Sequence, residues 1–226
     1  MILLAVDTST AQIGLSLYDG AQVVAETLWQ SHQHHTVELA PAVAELLKRT
    51  GVSIGEVQSL GVALGPGSFT ALRVGLSFIK GLALARHIPI VGIPTLDVLA
   101  GGLPLSRLPL AAVVRAGRGR FAVGSYKSTK AGWKSMGERA GEKIMTVDEL
   151  ADSIEKPTLV AGELSAEDRQ RLSRKKVNVA LAAPSLCVRR PAVLAELAWA
   201  RWQNGKVDEA ASLAPIYLHI GEPIPA

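Results

Sequence analysis

Apolar and polar residues follow regular patterns along the first hundred residues, and these patterns predict a mixed sheet with helices on its faces. Ile2–Val6 is a continuous apolar run typical of a buried strand, whereas Ile13–Tyr18 alternates apolar and polar positions. The Asp19-Gly20 pair signals a hairpin turn, so a third strand is predicted over Gln22–Leu28. The predicted elements continue with a helix over 36–50, a strand over 60–64, a helix over 69–86, a strand over 88–93 and a short helix from 94 to about 101.

The two longer helices differ in how their apolar positions are arranged. In the first, Thr36 is a candidate N-cap, and Leu39 and Val43 lie on one apolar stripe. The helix over 69–86 is apolar or small around most of its circumference, with its polar positions on one narrow stripe: Arg73, Ser77 and Lys80. A helix of this kind is buried on more than one side. We therefore expect one side to pack within the chain and a surplus apolar side to meet a partner protein.

A Gly- and Pro-rich stretch over 101–109 predicts a boundary between two lobes. The first lobe is predicted over 1–104 with the order βββαβαβα, and the second, smaller lobe over 105–226. Its predicted elements are strands over 110–114, 120–126 and 158–161, and helices over 165–174 and 191–204. The fold class predicted from the pattern is α/β.

Charge is distributed unevenly between the two lobes. Residues 1–100 carry 5 Lys/Arg and 7 Asp/Glu, whereas residues 101–226 carry 19 and 13. Between Val98 and Gly137 there are seven basic residues and no acidic one, with Arg115, Arg118 and Arg120 as candidates for contact with phosphate groups. A solvated basic face explains the same pattern equally well.

Composition excludes several classes of protein. Hydrophobic residues make up 48% of the chain, which excludes disorder as its main state, and no apolar stretch is long enough to span a membrane. The single cysteine, Cys187, cannot form an internal disulfide and fits a reducing compartment. The first seven residues show neither the basic region nor the small-residue cleavage site of a signal peptide, so we expect a cytoplasmic protein.

The most distinctive stretch is a Gly-rich loop between a strand and a helix, and we call it the motif loop: Gly65, Pro66, Gly67, Ser68, Phe69 and Thr70. Backbone N–H groups at such a helix N-terminus can bind phosphate. The alternative is that both glycines only permit a tight turn, with Ser68 as the helix cap. The loop lacks the lysine and hydroxyl pair of a P-loop, so it meets no established phosphate-binding motif.

Other candidate chemistry is sparse. Asp7 ends the first strand, where it could hold water or a metal ion, or accept hydrogen bonds from the turn over 8–10. His32, His34 and His35 cluster before a helix start, either as metal ligands or as an exposed loop. Cys187 has no histidine near it in sequence. We therefore predict no catalytic residue, no metal ion and no cofactor.

These motifs together resemble the TsaB (YeaZ) family along almost the whole chain. The resemblance rests on Leu3–Thr10, the His35-Thr36 pair, the motif loop with the Leu72–Gly75 run, the Ile90–Thr95 stretch and the Ala214–Leu218 stretch. It implies an actin/Hsp70-like fold with two related lobes, each a mixed sheet with flanking helices. It also implies a non-catalytic scaffold subunit in the synthesis of threonylcarbamoyladenosine at position 37 of tRNA.

The resemblance further implies partners and a partner surface. The implied partners are the catalytic paralogue TsaD and the ATPase TsaE, with a homodimer when the chain is alone and only weak or indirect contact with tRNA. The predicted partner interface lies on the helices over 36–50 and 69–86: His35, Thr36, Leu39, Val43, Leu72, Arg73, Leu76, Ile79, Lys80 and Ala83.

Two comparisons with the family concern chemistry. Where the TsaD-like paralogues have two metal-binding histidines, this chain has Thr95 and Leu99, which favours a non-catalytic role. Arg115 and Arg120 stand where family members often carry acidic residues. Two other functions remain open at this point: an ATP-dependent enzyme of the actin/Hsp70 class, and a basic RNA-binding module in which Phe121, Tyr126 and Trp133 stack on bases.

Overall fold

The structure is a computed structural model that describes residues 1–32, 34–136, 143–174 and 178–218. The chain divides into two compact units. The first contains Met1–Val98 together with Arg189–Ile216, and the second contains Leu99–Val188. No helix among the described residues is long and apolar enough to cross a lipid bilayer.

The elements are numbered along the chain. The strands are β1 (Ile2–Asp7), β2 (Gln12–Tyr18), β3 (Val23–Gln30), β4 (Val57–Ala63), β5 (Ile90–Ile93), β6 (Leu110–Gly117), β7 (Arg120–Thr129), β8 (Gly132–Ser135), β9 (Lys143–Met145), β10 (Thr158–Gly162) and β11 (Val179–Leu181). The helices are α1 (His35–Thr50), α2 (Phe69–Arg86), α3 (Thr95–Gly101), α4 (Val147–Ser153), α5 (Ala166–Arg174) and α6 (Pro191–Gln203).

The first unit is built on a five-stranded sheet of order β3-β2-β1-β4-β5. The hairpin-linked strands β1, β2 and β3 are antiparallel, and β4 and β5 run parallel to β1. Successive side chains of β1 point to opposite faces, so Leu4 joins the core under α1 and α2 whereas Leu3 joins the core under α6. Burial on both faces explains why β1 is a continuous apolar run.

The second unit repeats the plan with a sheet of order β11-β10-β6-β7-β8, and β9 pairs with β7. Strands β6, β10 and β11 are parallel, whereas β6 and β7 form an antiparallel hairpin. One face packs against α4 and α5 through a core that includes Phe121, Leu150 and Leu172. The strands predicted over 110–114, 120–126 and 158–161 and the helix predicted over 165–174 are confirmed, but β8, β9, α4 and β11 were not predicted.

Two sequence-based expectations differ from the structure. The predicted second lobe over 105–226 includes α6, yet Arg189–Ile216 belongs to the first unit. The reason is that Leu194 and Ala198 of α6 are buried against the face of the first sheet that contains Leu3. Thr36 is also not the N-cap of α1, because the helix already begins at His35 and its N-cap is His34.

Candidate functional site

The motif loop is packed against the turn that follows β1. The Gly65 N–H donates to Thr95 Oγ1 over 2.9 Å, and the Ser68 N–H donates to the Ser9 carbonyl oxygen over 2.7 Å. A Cβ on Gly67 would stand 2.0 Å from that same Ser9 oxygen. Two of the N–H groups that a phosphate would need are therefore engaged within the chain, and Gly67 is required for the close approach of the two backbones.

Residues of the turn over 8–10 form hydrogen bonds with the first turns of three helices. Thr8 donates from Oγ1 to the Ala71 carbonyl oxygen of α2 over 2.8 Å. Ser9 and Thr95, the first residue of α3, share a hydroxyl–hydroxyl hydrogen bond of 2.6 Å. His35, the first residue of α1, donates from Nε2 to the Thr10 carbonyl oxygen over 2.8 Å. The N-terminal ends of α1, α2 and α3 are thus held to a single buried turn.

A buried ion pair lies behind this turn. Arg189 donates from Nε to Asp7 Oδ2 over 2.9 Å and from Nη2 to Thr10 Oγ1 over 2.9 Å. The Ser9 N–H donates to the other carboxylate oxygen, Asp7 Oδ1, over 2.7 Å. The side chains of Arg189 and Asp7 are 1% and 2% exposed. Of the alternatives for Asp7, hydrogen bonding to the turn is the one observed, and the positive charge beside it comes from the chain itself.

The predicted histidine cluster does not converge on one point. His35 is buried against Thr10, whereas His34 lies 3.9 Å from a carboxylate oxygen of Glu38. Trp29 donates from Nε1 to Glu38, and this hydrogen bond lowers the pKa of that carboxyl. Within the described ranges, no group of three or more histidine, cysteine or acidic side chains is arranged to hold a metal ion.

An open groove of about 450 Å³ lies between the N-terminal halves of α1 and α2, and we call it the α1–α2 groove. It is lined by Thr36, Leu39, Ala40, Phe69, Thr70, Arg73, Val74, Ser77 and Phe78. Phe69 is 53% exposed and the Arg73 guanidinium stacks 3.6 Å above the centre of its ring. Val37, one residue from the groove lining, is 68% exposed. Exposed apolar side chains beside a groove are typical of protein-binding surfaces.

Most of the predicted partner-interface residues are buried inside the first unit. They are His35, Leu39, Val43, Leu72, Leu76, Ile79 and Ala83. Five of the seven belong to the core on one face of the sheet: Leu39, Val43, Leu76, Ile79 and Ala83. Of the seven, Leu39 alone also lines the groove. Thr36 and Arg73 are exposed, and half-buried Lys80 donates to the Ala211 carbonyl oxygen over 3.4 Å. Of the ten predicted residues, three line the α1–α2 groove: Thr36, Leu39 and Arg73.

The basic residues of the β6–β7 hairpin are partly neutralised. Arg115 forms an ion pair of 2.8 Å with Asp168, and its backbone N–H donates to Glu163. Arg118 occupies the turn with a φ of 50°, and Arg120 is half-buried. Of the three rings considered for base stacking, Phe121 and Tyr126 are buried, and Trp133 donates from Nε1 to the Leu103 carbonyl oxygen. Phe121 and Tyr126 are therefore not accessible for base stacking.

Arg189 is a component of the site that was not predicted from the sequence. Arg189 and Arg190 are neighbours just before the helix that begins at Pro191. Nothing in the sequence indicates that Arg189 is buried and Arg190 exposed. The signal that could have pointed to Arg189 is Asp7 itself. A carboxylate at the end of a fully apolar strand requires a charged or hydrogen-bonding partner when it is buried.

Comparison with known proteins agrees with this architecture. The family described as TsaD: tRNA N6-adenosine threonylcarbamoyltransferase matches residues 23–182. The "tRNA threonylcarbamoyladenosine biosynthesis protein TsaB" of Escherichia coli (strain K12) is 34% identical over 102 residues, covering 45% of this chain and 44% of that protein. A "tRNA N6-adenosine threonylcarbamoyltransferase" of Pelobacter propionicus is 32% identical over 109 residues, covering 41% and 32%. The chain spans about half the length of the first curated relatives it matches.

Among solved structures, YeaZ from Pseudomonas aeruginosa superimposes with a TM-score of 0.76. The likeness covers 96% of this chain and 99% of that one, at 24% identity. Together with the two mixed sheets and their flanking helices, this likeness confirms the expected actin/Hsp70-like fold.

Proposed function

The chain belongs to the family described as TsaD: tRNA N6-adenosine threonylcarbamoyltransferase, and from that premise we propose that it is a TsaB (YeaZ)-like, non-catalytic scaffold subunit in the biosynthesis of threonylcarbamoyladenosine on tRNA. Its catalytic partner in this proposal is a TsaD-like paralogue, and a TsaE-like ATPase joins the same complex. When the paralogue is absent, the chain pairs with a second copy of itself.

The observation that carries the scaffold role is the α1–α2 groove. Phe69 and Val37 are exposed beside it, and Arg73 supplies a positive charge at its edge. A partner helix could cover these apolar side chains and gain about 25 cal/mol for each Å² of apolar surface removed from water. The turn over 8–10 holds the N-terminal ends of both helices, so the groove has a fixed shape before any partner arrives.

The absence of catalysis is supported by the contacts of Asp7. Both of its carboxylate oxygens accept hydrogen bonds within the chain, one of them from the buried Arg189 guanidinium. The Gly65 and Ser68 N–H groups of the motif loop are also engaged. These contacts argue against the alternative of an ATP-dependent enzyme that uses Asp7 and the motif loop.

The proposal is tested by titrating the labelled TsaD-like paralogue with this chain. Phe69→Glu places a charge where a partner would bury the ring, so we expect the dissociation constant to rise about tenfold or more. Val207→Glu is the matched control, because Val207 is also exposed but lies outside the groove. Equal affinities for wild type, Phe69→Glu and Val207→Glu would remove the groove from the interface.

The non-catalytic role is tested separately by calorimetric titration of the chain alone with Mg-ATP. We expect no heat of binding and no nucleotide turnover. Saturable binding that is abolished by Asp7→Asn would favour the enzyme alternative.

A further inference from the structure

The basic segment of the second unit contains an uncompensated pair of charges. Lys127 of β7 and Lys134 of β8 stand directly opposite each other in the register of the hairpin. Both side chains are exposed, and neither side chain has an ion pair or hydrogen bond to any described residue. Like charges at directly opposed positions destabilise a pair of strands. The pair therefore destabilises the hairpin, so the stability of the hairpin does not explain why two lysines stand there.

A groove of about 350 Å³ with both apolar and polar lining residues lies next to this pair, and we call it the lysine-rimmed groove. Its floor includes Val123 and Leu150, which are buried, and Ile154, which is half-buried. Met136 and Met145 also line it, so two of the three methionines in the chain are found here. Methionine side chains are flexible and polarisable, and they adapt to apolar partners of varied shape.

Strand geometry places the lysines along the edge of this groove. Val123 and Ser125 line it, and Lys127 is the next residue of β7 on the same face of the sheet. The N–H of Met136 donates to the Ser125 carbonyl oxygen over 2.8 Å, which brings the end of β8, with Lys134, to the same place.

Two further lysines line the groove itself. Lys143 stands opposite Val123 in the pairing of β9 with β7, and Lys156 follows α4. Glu155 is the one acidic residue among the described groove-lining positions. Among the described residues, these two lysines together with Lys127 and Lys134 outnumber the one groove-lining glutamate, which favours the approach of acidic groups.

We propose that the lysine-rimmed groove binds an acidic segment of a partner protein that carries an apolar anchor side chain. The carboxylates of the segment would pair with Lys127, Lys134, Lys143 and Lys156, and its anchor would pack between the two methionines. The inference does not depend on the α1–α2 groove, since it concerns a different surface on the second unit.

The chemistry of the floor favours a protein over a nucleic acid. Single-stranded nucleic acids bind basic grooves that also offer aromatic rings for base stacking. The described lining contains no aromatic side chain, and the nearby Tyr126 is buried. A phosphate backbone would gain nothing from methionine, valine and leucine, whereas an apolar anchor would.

The test uses the full chain and fluorescence anisotropy with three labelled probes of matched length. The first is a peptide of about twelve residues in which glutamate and leucine alternate, which offers both charge and anchors. In the second, every leucine is replaced by serine. The third is a single-stranded oligoribonucleotide. We expect the first probe to bind at least about fivefold tighter than either of the others.

Lys134→Glu gives the sharpest variant, because its effects on folding and on binding have opposite signs. It replaces a like-charge pair by an opposite-charge pair, so the hairpin should gain stability. Binding of the glutamate–leucine peptide should nevertheless weaken about fivefold or more. Lys206→Glu, an exposed lysine of the first unit, is the matched control and should leave the affinity unchanged.

Three results would overturn the inference. One is equal binding of the leucine and serine peptides, which would make the surface a general polyanion site. Another is tighter binding of the oligoribonucleotide, which would assign the lysines to RNA. The third is an affinity for the glutamate–leucine peptide that does not change in Lys134→Glu, or no binding of that peptide at all.

Discussion

Arg189 and Asp7 form an ion pair across 182 residues of sequence, with a Nε–Oδ2 distance of 2.9 Å and almost no exposure to water. The pair joins the segment before α6 to the end of β1. It places a guanidinium against the one carboxylate that ends the central strand of the first sheet. The positive charge beside Asp7 is therefore supplied by a side chain of the protein itself.

Removing one member of this pair should be far more costly than removing a neighbouring exposed pair. Arg189→Met leaves Asp7 buried without a counter-charge, so we expect the free energy of unfolding to fall by about 3–5 kcal/mol. Arg190 pairs with Glu26 and is 60% exposed, so Arg190→Met should cost less than about 1 kcal/mol. Urea unfolding measures both.

Adding a substitution of Asp7 to Arg189→Met separates the cost of an unpaired buried charge from the cost of lost packing. In the double variant Asp7→Asn with Arg189→Met, no buried charge remains unpaired, so part of the lost stability should return. If the two single losses simply add in the double variant, the ion pair is not the source of the cost.

Two glycines of α2 should respond to alanine in opposite directions. A Cβ on Gly75 would stand 2.2 Å from Thr8 Oγ1, so Gly75→Ala should push the helix away from the turn over 8–10 and cost about 1–3 kcal/mol. A Cβ on Gly81 would meet nothing within 4 Å, so Gly81→Ala should stabilise α2 by roughly 0.5–1 kcal/mol. Thermal unfolding distinguishes the two; a stabilised Gly75→Ala would contradict the tight contact.

Two buried serines of the first sheet should likewise differ in sign. Ser59 Oγ is buried and has no hydrogen-bond partner among the described residues, so Ser59→Ala should raise the free energy of unfolding by about 1 kcal/mol. Ser16 donates from Oγ to the Ala25 carbonyl oxygen over 3.0 Å, so Ser16→Ala should lower it by about 1 kcal/mol. Equal effects in urea unfolding would contradict this difference.

The hydrogen bond from Trp29 to Glu38 predicts an acid-dependent contribution to stability. It lowers the pKa of Glu38 in the folded state, so the contribution is present above the unfolded-state pKa and is lost as the pH falls through the folded-state pKa. The stability difference between wild type and Glu38→Gln should be larger at about pH 7 than at about pH 3. Trp29→Phe removes the donor, and in that background the pH dependence of the difference should shrink.

Local pattern was sufficient to predict most elements of the first unit, because each strand and helix there has its own turn and periodicity signals. Pattern did not reveal where α6 packs, since an apolar stripe such as Leu194 and Ala198 fits either sheet equally well. The short strands β8 and β9 carry exposed lysines rather than an alternating apolar pattern, so they gave no signal.

The candidate site was harder to predict for the same physical reason. Leu76 and Ile79 appeared to be surplus apolar surface, because the sequence shows how apolar a helix is and not how much of it the sheet covers. The pairing of Asp7 with Arg189 depends on a contact across 182 residues, which no local pattern encodes.

The most direct test of the scaffold role is the light-scattering mass of the chain during size exclusion, alone and mixed with its TsaD-like paralogue. We predict a homodimer for the chain alone and a mixed complex after addition of the paralogue, with both species weakened by Phe69→Glu and unaffected by Val207→Glu. A chain that remains a monomer and elutes separately from the paralogue would contradict it.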